Sequence, residues 1–130
     1  GIDVANVLNQ NPNQVFKTLV TVGHTKTNYV FLIPVNKELD LKKAANAVEE
    51  KSITMIKSKE LLALTGYIHG GCSPIGMKKQ FKTVIDITAK DFETIIFSGG
   101  KIGYQVEVSL DDLRKVIDFE LIDIQAIKNN

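Results

Sequence analysis

YIHGGCSPIGMKK, the stretch from Tyr67 to Lys79, holds three glycines, one proline and two adjacent lysines in thirteen positions. Glycine raises the entropy cost of regular structure and proline lacks an amide donor, so the composition predicts a shaped loop. Gly70 and Gly71 can turn their amides outward toward a bound oxygen, while Pro74 stiffens the exit. A plain tight connection between two elements is the alternative interpretation.

The composition indicates one globular domain over residues 1–130, with 44% hydrophobic and 24% charged residues. The net charge is +1, from 16 basic and 15 acidic residues, which predicts no strong field toward DNA or a membrane surface. Any contact with RNA must therefore be local. A single cysteine, Cys72, excludes an internal disulfide and favours a reducing compartment, so a cytoplasmic location is expected.

Hydrophobic periodicity outward from this loop predicts six or seven strands and three or four short helices. The predicted strands lie at 15–22, 29–35, 53–56, 83–87, 93–97, 104–108 and 119–124. The predicted helices lie at 2–10, 41–50, 58–64 and from 109 onward, and residues 125–130 are predicted to be a loose tail. This order indicates a mixed α/β or α+β sheet, curled toward a barrel, with flanking short helices.

Polar residues mark the helix starts. Asp40 and Ser58 are predicted N-caps, and residues 88–91 and 109–112 have the form of capping boxes. The inward faces are predicted to contain Leu41, Ala44, Ala45 and Val48 in one helix, and Leu110, Leu113, Val116 and Ile117 in another.

Few residues suggest protein-supplied chemistry. Cys72 with His24 or His69 invites a thiol nucleophile and its base, but a lone thiol among glycines needs a partner that activates it. One cysteine and two histidines without paired spacing fall short of a zinc site, so no metal and no cofactor is expected. The run Gly99-Gly100-Lys101 lacks the rest of a nucleotide-binding loop.

Lys17 is a candidate for binding an anionic ligand group. It lies on a predicted strand between Val15 and Leu19, where burial of its charge requires an anionic partner such as a ligand phosphate. The alternative is a lysine at a sheet edge whose ammonium group reaches water. A second glycine loop, Ser98 to Gly103, also follows an apolar segment and can present amides.

The segment Tyr67–Gly76 resembles the Gly-x-x-x-Pro loop of the YbaK family, the trans-editing aminoacyl-tRNA deacylases related to the editing domain of bacterial prolyl-tRNA synthetases. Four further segments fit the same order along nearly the whole chain. They are residues 14–19, residues 39–45, the two lysines 78–79 before residues 83–86, and residues 97–103.

The resemblance implies a mixed sheet curled into a partial barrel and an enzyme that removes cysteine mischarged on tRNA(Pro). In this family the thiol of the substrate attacks its own ester, and the protein orients the groups and stabilises the oxyanion. The implied partners are the acceptor end of the aminoacyl-tRNA and, as a second candidate, prolyl-tRNA synthetase. The alternatives are an Ala-tRNA(Pro) deacylase, a non-catalytic tRNA- or nucleotide-binding module of the same fold, and a hydrolase that uses Cys72.

The resemblance also assigns residues. The implied catalytic residues are Lys17, Gly70 and Ser98, and the implied substrate-binding residues are Thr18, Gly71, Pro74, Gly99 and Gln105. Gln105 stands where the best-known members have aspartate, which leaves open how the substrate amino group is recognised. The family pattern also has a helix and a strand before the first helix predicted here, and their absence from this sequence is the second departure.

Overall fold

The computed structural model describes residues 10–127, so the helix predicted at residues 2–10 lies almost wholly outside the described residues. The described part contains strands β1 (Phe16–Gly23), β2 (Asn28–Pro34), β3 (Ile53–Met55), β4 (Lys82–Asp86), β5 (Ile95–Ser98), β6 (Gln105–Val108) and β7 (Glu120–Ile122). Its helices are α1 (Leu41–Ala47), α2 (Ser58–Thr65) and α3 (Leu110–Leu113), with a 3-10 turn at Ile87–Asp91. The predicted strands and helices of this part are therefore confirmed, with shifted ends.

Five strands form one mixed sheet in the order β3-β1-β2-β4-β7. β1 is antiparallel to both β2 and β3, whereas β4 runs parallel to its neighbours β2 and β7. β5 and β6 form a separate antiparallel hairpin, which joins β1 at a single bridge between Val15 and Ile96. The predicted fold class, mixed α+β, is confirmed, and the sheet does not close into a barrel.

The central strand β2 divides the core into two layers. Val30 and Leu32 face one hydrophobic cluster, which contains residues of the β5-β6 hairpin, α2 and α3. Tyr29, Phe31 and Ile33 face the other cluster, which is covered by α1. Because both faces of β2 are buried, its sequence is a continuous apolar run rather than an alternating one.

Several local predictions are confirmed and others are wrong. The Asp40 carboxylate accepts bonds from the amides of Lys42 and Lys43, and Ser109 caps α3. Lys57, not Ser58, is the N-cap of α2, and it makes no side-chain capping bond. Leu41 and Val116, predicted to face inward, are 43% and 61% exposed. Leu41 is the first residue of α1, at its exposed start, and Val116 lies beyond the end of α3 at Leu113, so helical periodicity buries neither of them.

Asp86 explains two further differences between the predicted and the observed structure. It is fully buried, caps the 3-10 turn in place of the predicted box at residues 88–91, and accepts bonds from Thr88. Its carboxylate also accepts from the Ile124 amide at 3.0 Å and from the Gln125 side chain at 2.7 Å. Gln125 is in turn bridged to Leu39. The described part of the predicted loose tail is therefore held against the sheet.

Candidate active site

A cavity of about 320 Å³ lies against the outer edge of β1, between β3 and the β5-β6 hairpin. It is lined by both edges of this gap: residues 15–20 of β1 on one side, and residues 98 and 101–105 of the hairpin on the other. Residues of β3, α2 and the loop around Gly70 complete it. A volume of this size suits a small ligand group rather than a macromolecule.

The edge of β1 is open in front of this cavity. Toward β2, the Val15 carbonyl accepts from the Val35 amide and the Gly23 amide donates to the Thr27 carbonyl, so the odd-numbered residues pair with β2. The even-numbered residues therefore turn their backbone groups outward. The carbonyl of Val20 accepts from Ile56, and that of residue 14 accepts from Ile96. Between these two bonds, the amide and carbonyl of Thr18 find no partner among the described residues.

The Thr18 side chain adds an unpaired group at the same place. Its Oγ1 is buried and has no hydrogen-bond partner within residues 10–127. A buried hydroxyl without a partner costs free energy, and in native structures such groups concentrate where a ligand or ordered water completes them. Thr18 also lines the cavity. Three polar groups of one residue are therefore available to a molecule bound there.

The two glycine loops pack against each other beside this edge. A side-chain carbon built on Gly71 would lie 3.4 Å from the backbone of Lys101 and Ile102, and one built on Gly100 would lie 2.9 Å from the Tyr67 ring. The Tyr67 hydroxyl donates to the Ile75 carbonyl at 2.5 Å, at the far end of the first loop. Tyr67 thus connects both loops into one wall of the cavity.

Five of the residues assigned by resemblance meet in this cavity: Lys17, Thr18, Gly70, Ser98 and Gln105. Gly70 has φ +86°, a conformation that favours glycine, and the Ser98 hydroxyl accepts from the Gly100 amide at 3.2 Å. The side-chain oxygen of Gln105 accepts a hydrogen bond from the side-chain amide of Gln10 at 2.9 Å. This side chain is therefore held in position from outside the cavity.

The other three assigned residues, Gly71, Pro74 and Gly99, do not line the cavity. Gly71 and Pro74 are buried, and the Gly71 amide donates to the Ile68 carbonyl at 3.0 Å. The Gly99 amide donates to the Tyr104 carbonyl at 2.7 Å. The amides of both glycines therefore shape the two loops, and Gly70 is the residue of the first loop that faces the cavity together with His69 and Cys72.

The cavity has a one-sided charge. Its lining contains two lysines and a histidine, Lys17, Lys101 and His69, and no described residue that lines it is an aspartate or glutamate. Lys17 forms no ion pair with the described residues. Such a lining favours an anionic ligand group, because an anion supplies the missing counter-charge. No cluster of three potential metal ligands exists within the described part of the chain.

Cys72 also lines the cavity, but its thiol is a poor nucleophile. The residue is buried, and burial raises the pKa of its thiol to about 11. The thiolate is the nucleophilic form of cysteine, so almost none is present at neutral pH. Among residues 10–127, the cavity thus combines unpartnered polar groups with a thiol of low reactivity.

Sequence reasoning missed part of the rim. Ile102 and Tyr104 line the cavity and are 66% and 67% exposed, and the Lys101 ammonium lies 5.9 Å from the centre of the Tyr104 ring. Tyr104 was predicted as the first residue of a strand, but β6 begins at Gln105. The available signal was an aromatic residue directly after a glycine loop, and only the packing of the two loops shows that it borders a cavity.

Comparison with known proteins identifies the class. Residues 2–116 match the family of aminoacyl-tRNA editing domains, and the chain belongs to this family. The sequence is 46% identical to EbsC of Enterococcus faecalis, whose name describes a Cys-tRNA(Pro)/Cys-tRNA(Cys) deacylase, over 93% of this chain and 74% of that protein. The resemblance found in the five motifs is therefore confirmed.

Two further similarities agree with this class. A proline–tRNA ligase of Lactobacillus helveticus is 26% identical over 95% of this chain, which spans only 21% of the ligase. A crystal structure described as a trans-editing enzyme for prolyl tRNA synthetase superposes with a TM-score of 0.85, over 96% of this chain and 78% of the other, at 23% identity. This last likeness shows the fold. Among residues 10–127, no helix has the length and hydrophobicity needed to cross a membrane.

Proposed function

We propose that this chain is a trans-editing aminoacyl-tRNA deacylase that removes cysteine mischarged on tRNA(Pro), with the thiol of the substrate as the nucleophile. The observation that supports this most is the cavity that unites the open edge at Thr18, Lys17 and both glycine loops, with no carboxylate among the described residues that line it. The kinship to EbsC supports the same activity.

Lys17 and Thr18 have complementary roles in this proposal. The Lys17 ammonium binds the negative charge of the terminal phosphate of the acceptor end, and no carboxylate of the described lining competes for it. The Thr18 amide donates to the ester carbonyl oxygen, and its hydroxyl fixes the adjacent part of the aminoacyl group. Gly70 brings the first loop close to the ester, because it has no side chain to obstruct the approach. Ser98 keeps the second loop in shape through its bond to Gly100.

The chemical step needs no nucleophile from the protein. The sulfur of the cysteinyl group attacks the ester carbonyl, a carbon–sulfur bond forms, and the bond from the carbonyl carbon to the ribose oxygen breaks. The thiol proton passes to the released ribose oxygen, which leaves free tRNA and a cyclic cysteine thiolactone. Orientation of the thiol on the ester and amide donors at the developing oxyanion are what the cavity contributes.

The likeness to a proline–tRNA ligase motivates a second element of the proposal. With a net charge of +1 and a cavity that suits only a small ligand group, the chain binds the acceptor end without reading the body of the tRNA. Selection of tRNA(Pro) then depends on prolyl-tRNA synthetase as a partner. Selective deacylation of Cys-tRNA(Pro) over Cys-tRNA(Cys) in the absence of any synthetase would contradict this dependence.

Charged tRNA tests the main proposal. The protein is incubated with tRNA(Pro) carrying cysteine, S-methylcysteine or alanine, and loss of each ester is followed over time. We expect release of cysteine as the thiolactone, trapped by an added amine, and retention of S-methylcysteine, which lacks the attacking thiol. Release of alanine with retention of cysteine would instead identify an alanine-editing enzyme, and unchanged esters despite measurable tRNA binding would identify a non-catalytic module.

Cys72→Ala is the matched test of the protein's own thiol. We expect full activity toward Cys-tRNA(Pro), because the buried Cys72 thiol has a pKa of about 11 and takes no part in the reaction. Loss of activity in a variant that melts at the wild-type temperature would favour a cysteine-dependent hydrolase.

A further inference from the structure

The rim of the cavity carries exposed apolar surface that the proposed reaction does not use. Tyr104 and Ile102 are each about two-thirds exposed, although both line the cavity, and both lie on the loop that joins β5 to β6. Single exposed hydrophobic residues are common, but an exposed aromatic ring at the mouth of a cationic cavity is characteristic of a nucleic-acid contact.

The loop that carries these residues is held firmly. The Tyr104 amide donates to the Lys101 carbonyl at 3.0 Å, and the Tyr104 carbonyl accepts from Gly99 at 2.7 Å. Gly71 of the first glycine loop packs against the backbone of Lys101 and Ile102. The ring of Tyr104 is thus presented by a backbone that is fixed on both sides, so a ligand does not have to order it.

The two lysines near this ring indicate what kind of ligand can bind there. The Lys101 ammonium lies 5.9 Å from the ring centre, and Lys17 is a second lysine in the lining of the same cavity. A nucleotide presents a flat base together with a phosphate, so it satisfies the ring and the two cations together. An apolar protein segment would leave both ammonium groups without a counter-charge.

We propose that Tyr104 is a stacking platform for the terminal base of the RNA whose ester enters the cavity. This inference rests on the proposed function, because the ester on the terminal ribose fixes where the base of the same nucleotide lies. With the ester beside Thr18, the adenine one sugar ring away reaches the rim and stacks on Tyr104. Ile102 flanks the base, and Lys101 holds the adjoining phosphate.

A fluorescent base reports the stack without any reaction. The probe is an uncharged acceptor-stem microhelix that ends in CCA, with 2-aminopurine in place of the terminal adenine. We expect the wild-type protein and Tyr104→Phe to quench this probe equally. Tyr104→Ala is expected to lose the quenching and to bind about 5- to 150-fold more weakly, the range for one stacked base.

A microhelix whose terminal nucleotide lacks its base distinguishes stacking from other roles. On this RNA the wild-type protein and Tyr104→Ala should bind equally, because neither has a base to stack. An equal loss on both RNAs would overturn the inference. Val116→Ala is the matched control, because Val116 is also exposed, at 61%, but lies outside the cavity lining, and it should bind both RNAs like wild type.

Two readouts keep the inference separable from the proposed function. If Tyr104→Ala does not fold, Tyr104→Leu keeps the apolar bulk without the aromatic face and should show the same loss of quenching.

Deacylation of Cys-tRNA(Pro) without any quenching by the wild-type protein would contradict the stacking role of Tyr104 but not the proposed activity. Quenching that depends on Tyr104 in a protein that leaves every ester intact would refute the activity alone. Capture of a protein segment by this rim, with no binding to any microhelix, would also overturn the inference.

Discussion

The two halves of strand β1 have opposite surroundings. At its carboxyl end, Thr21–Gly23 pairs with β2 on one side and β3 on the other, and the buried Thr21 hydroxyl donates to the Tyr29 carbonyl at 3.0 Å. At its amino end, Thr18 has a free backbone edge, a buried hydroxyl without a partner in the described chain, and a cavity in front of it. The same strand is paired on both sides at its carboxyl end and has an open edge in front of the cavity at Thr18.

Glu50 completes the closed half. Its buried carboxylate accepts bonds from the Thr25 hydroxyl, from the Thr25 amide at 3.1 Å and from the Tyr29 hydroxyl at 2.7 Å. These bonds, the Thr25 hydroxyl first, lower the pKa of Glu50. The bond to the Glu50 carboxylate, followed by burial, raises the pKa of Tyr29. The named polar groups of this half have partners within the fold, whereas the Thr18 hydroxyl of the open half has none among the described residues. The difference between the halves can be tested by matched substitutions.

The largest effect is expected for Lys17→Ala, on activity alone. Loss of a charge-assisted contact to the substrate phosphate should reduce kcat/KM by about 10- to 150-fold, corresponding to roughly 1.5–3 kcal/mol. Kinetics with Cys-tRNA(Pro) and thermal melting measure the two effects separately. Lys51→Ala, which removes an exposed lysine next to Glu50 in the closed half, is the charge-matched control and should retain full activity. Wild-type kinetics for Lys17→Ala would mean that this lysine only extends into water.

A large effect on stability is expected for Gly23→Ala in the closed half. The added carbon would lie 2.3 Å from the Glu50 side chain, which is buried and fixed by three donors, so the network must shift. Overpacking of this kind costs about 1–3 kcal/mol in the free energy of unfolding. In denaturant titrations Gly99→Ala should stay close to wild type, because its nearest contact would be an ordinary 3.5 Å. An equal loss of unfolding free energy in Gly23→Ala and Gly99→Ala would contradict the idea that the closed half is packed more tightly.

One substitution made at two positions gives opposite signs. Thr18→Val removes a buried hydroxyl without a partner and should raise the unfolding free energy by about 1 kcal/mol while it lowers activity. Thr21→Val removes a buried hydroxyl that is bonded to Tyr29 and should lower the unfolding free energy by about 1 kcal/mol. Urea unfolding of both variants decides the matter. Destabilisation by both would show that the Thr18 hydroxyl already has a partner in the free protein.

The smallest effect is a pH dependence in the closed half. Because the folded pKa of Glu50 is depressed, its contribution to stability is complete above the ordinary value of 4.5 and is lost as the pH falls through the lower folded value. Melting temperatures of wild type and Glu50→Gln should therefore converge below that range. Asp118→Asn, which changes an exposed carboxyl far from this network, is the control for the loss of one negative charge. A constant difference between wild type and Glu50→Gln at all pH values would contradict the prediction.

Short-range patterns predicted much of the fold. Asp40 and Ser109 act as the caps that their sequence context indicates, and Gly66 ends α2 in the left-handed conformation that glycine permits. Long-range contacts account for the errors. Asp86 replaced the predicted capping box because its carboxylate also bonds Ile124 and Gln125, some forty positions along the chain. No local pattern contains that information.

For the site, the sequence alone determined the residue types: a lysine on a strand, two glycine loops, and five ordered motifs typical of editing domains. Only the tertiary structure decided which of these residues meet. It brought Lys17, Thr18, Gly70, Ser98 and Gln105 to one cavity, left Gly71, Pro74 and Gly99 outside its lining, and added Tyr104 to the rim. The physical reason is that hydrophobic periodicity and turn chemistry act within a few residues. The open edge at Thr18 depends on long-range pairing: β3 pairs with residues 21–23 of β1, the β5-β6 hairpin bridges Val15 just before β1, and Thr18 lies between these contacts.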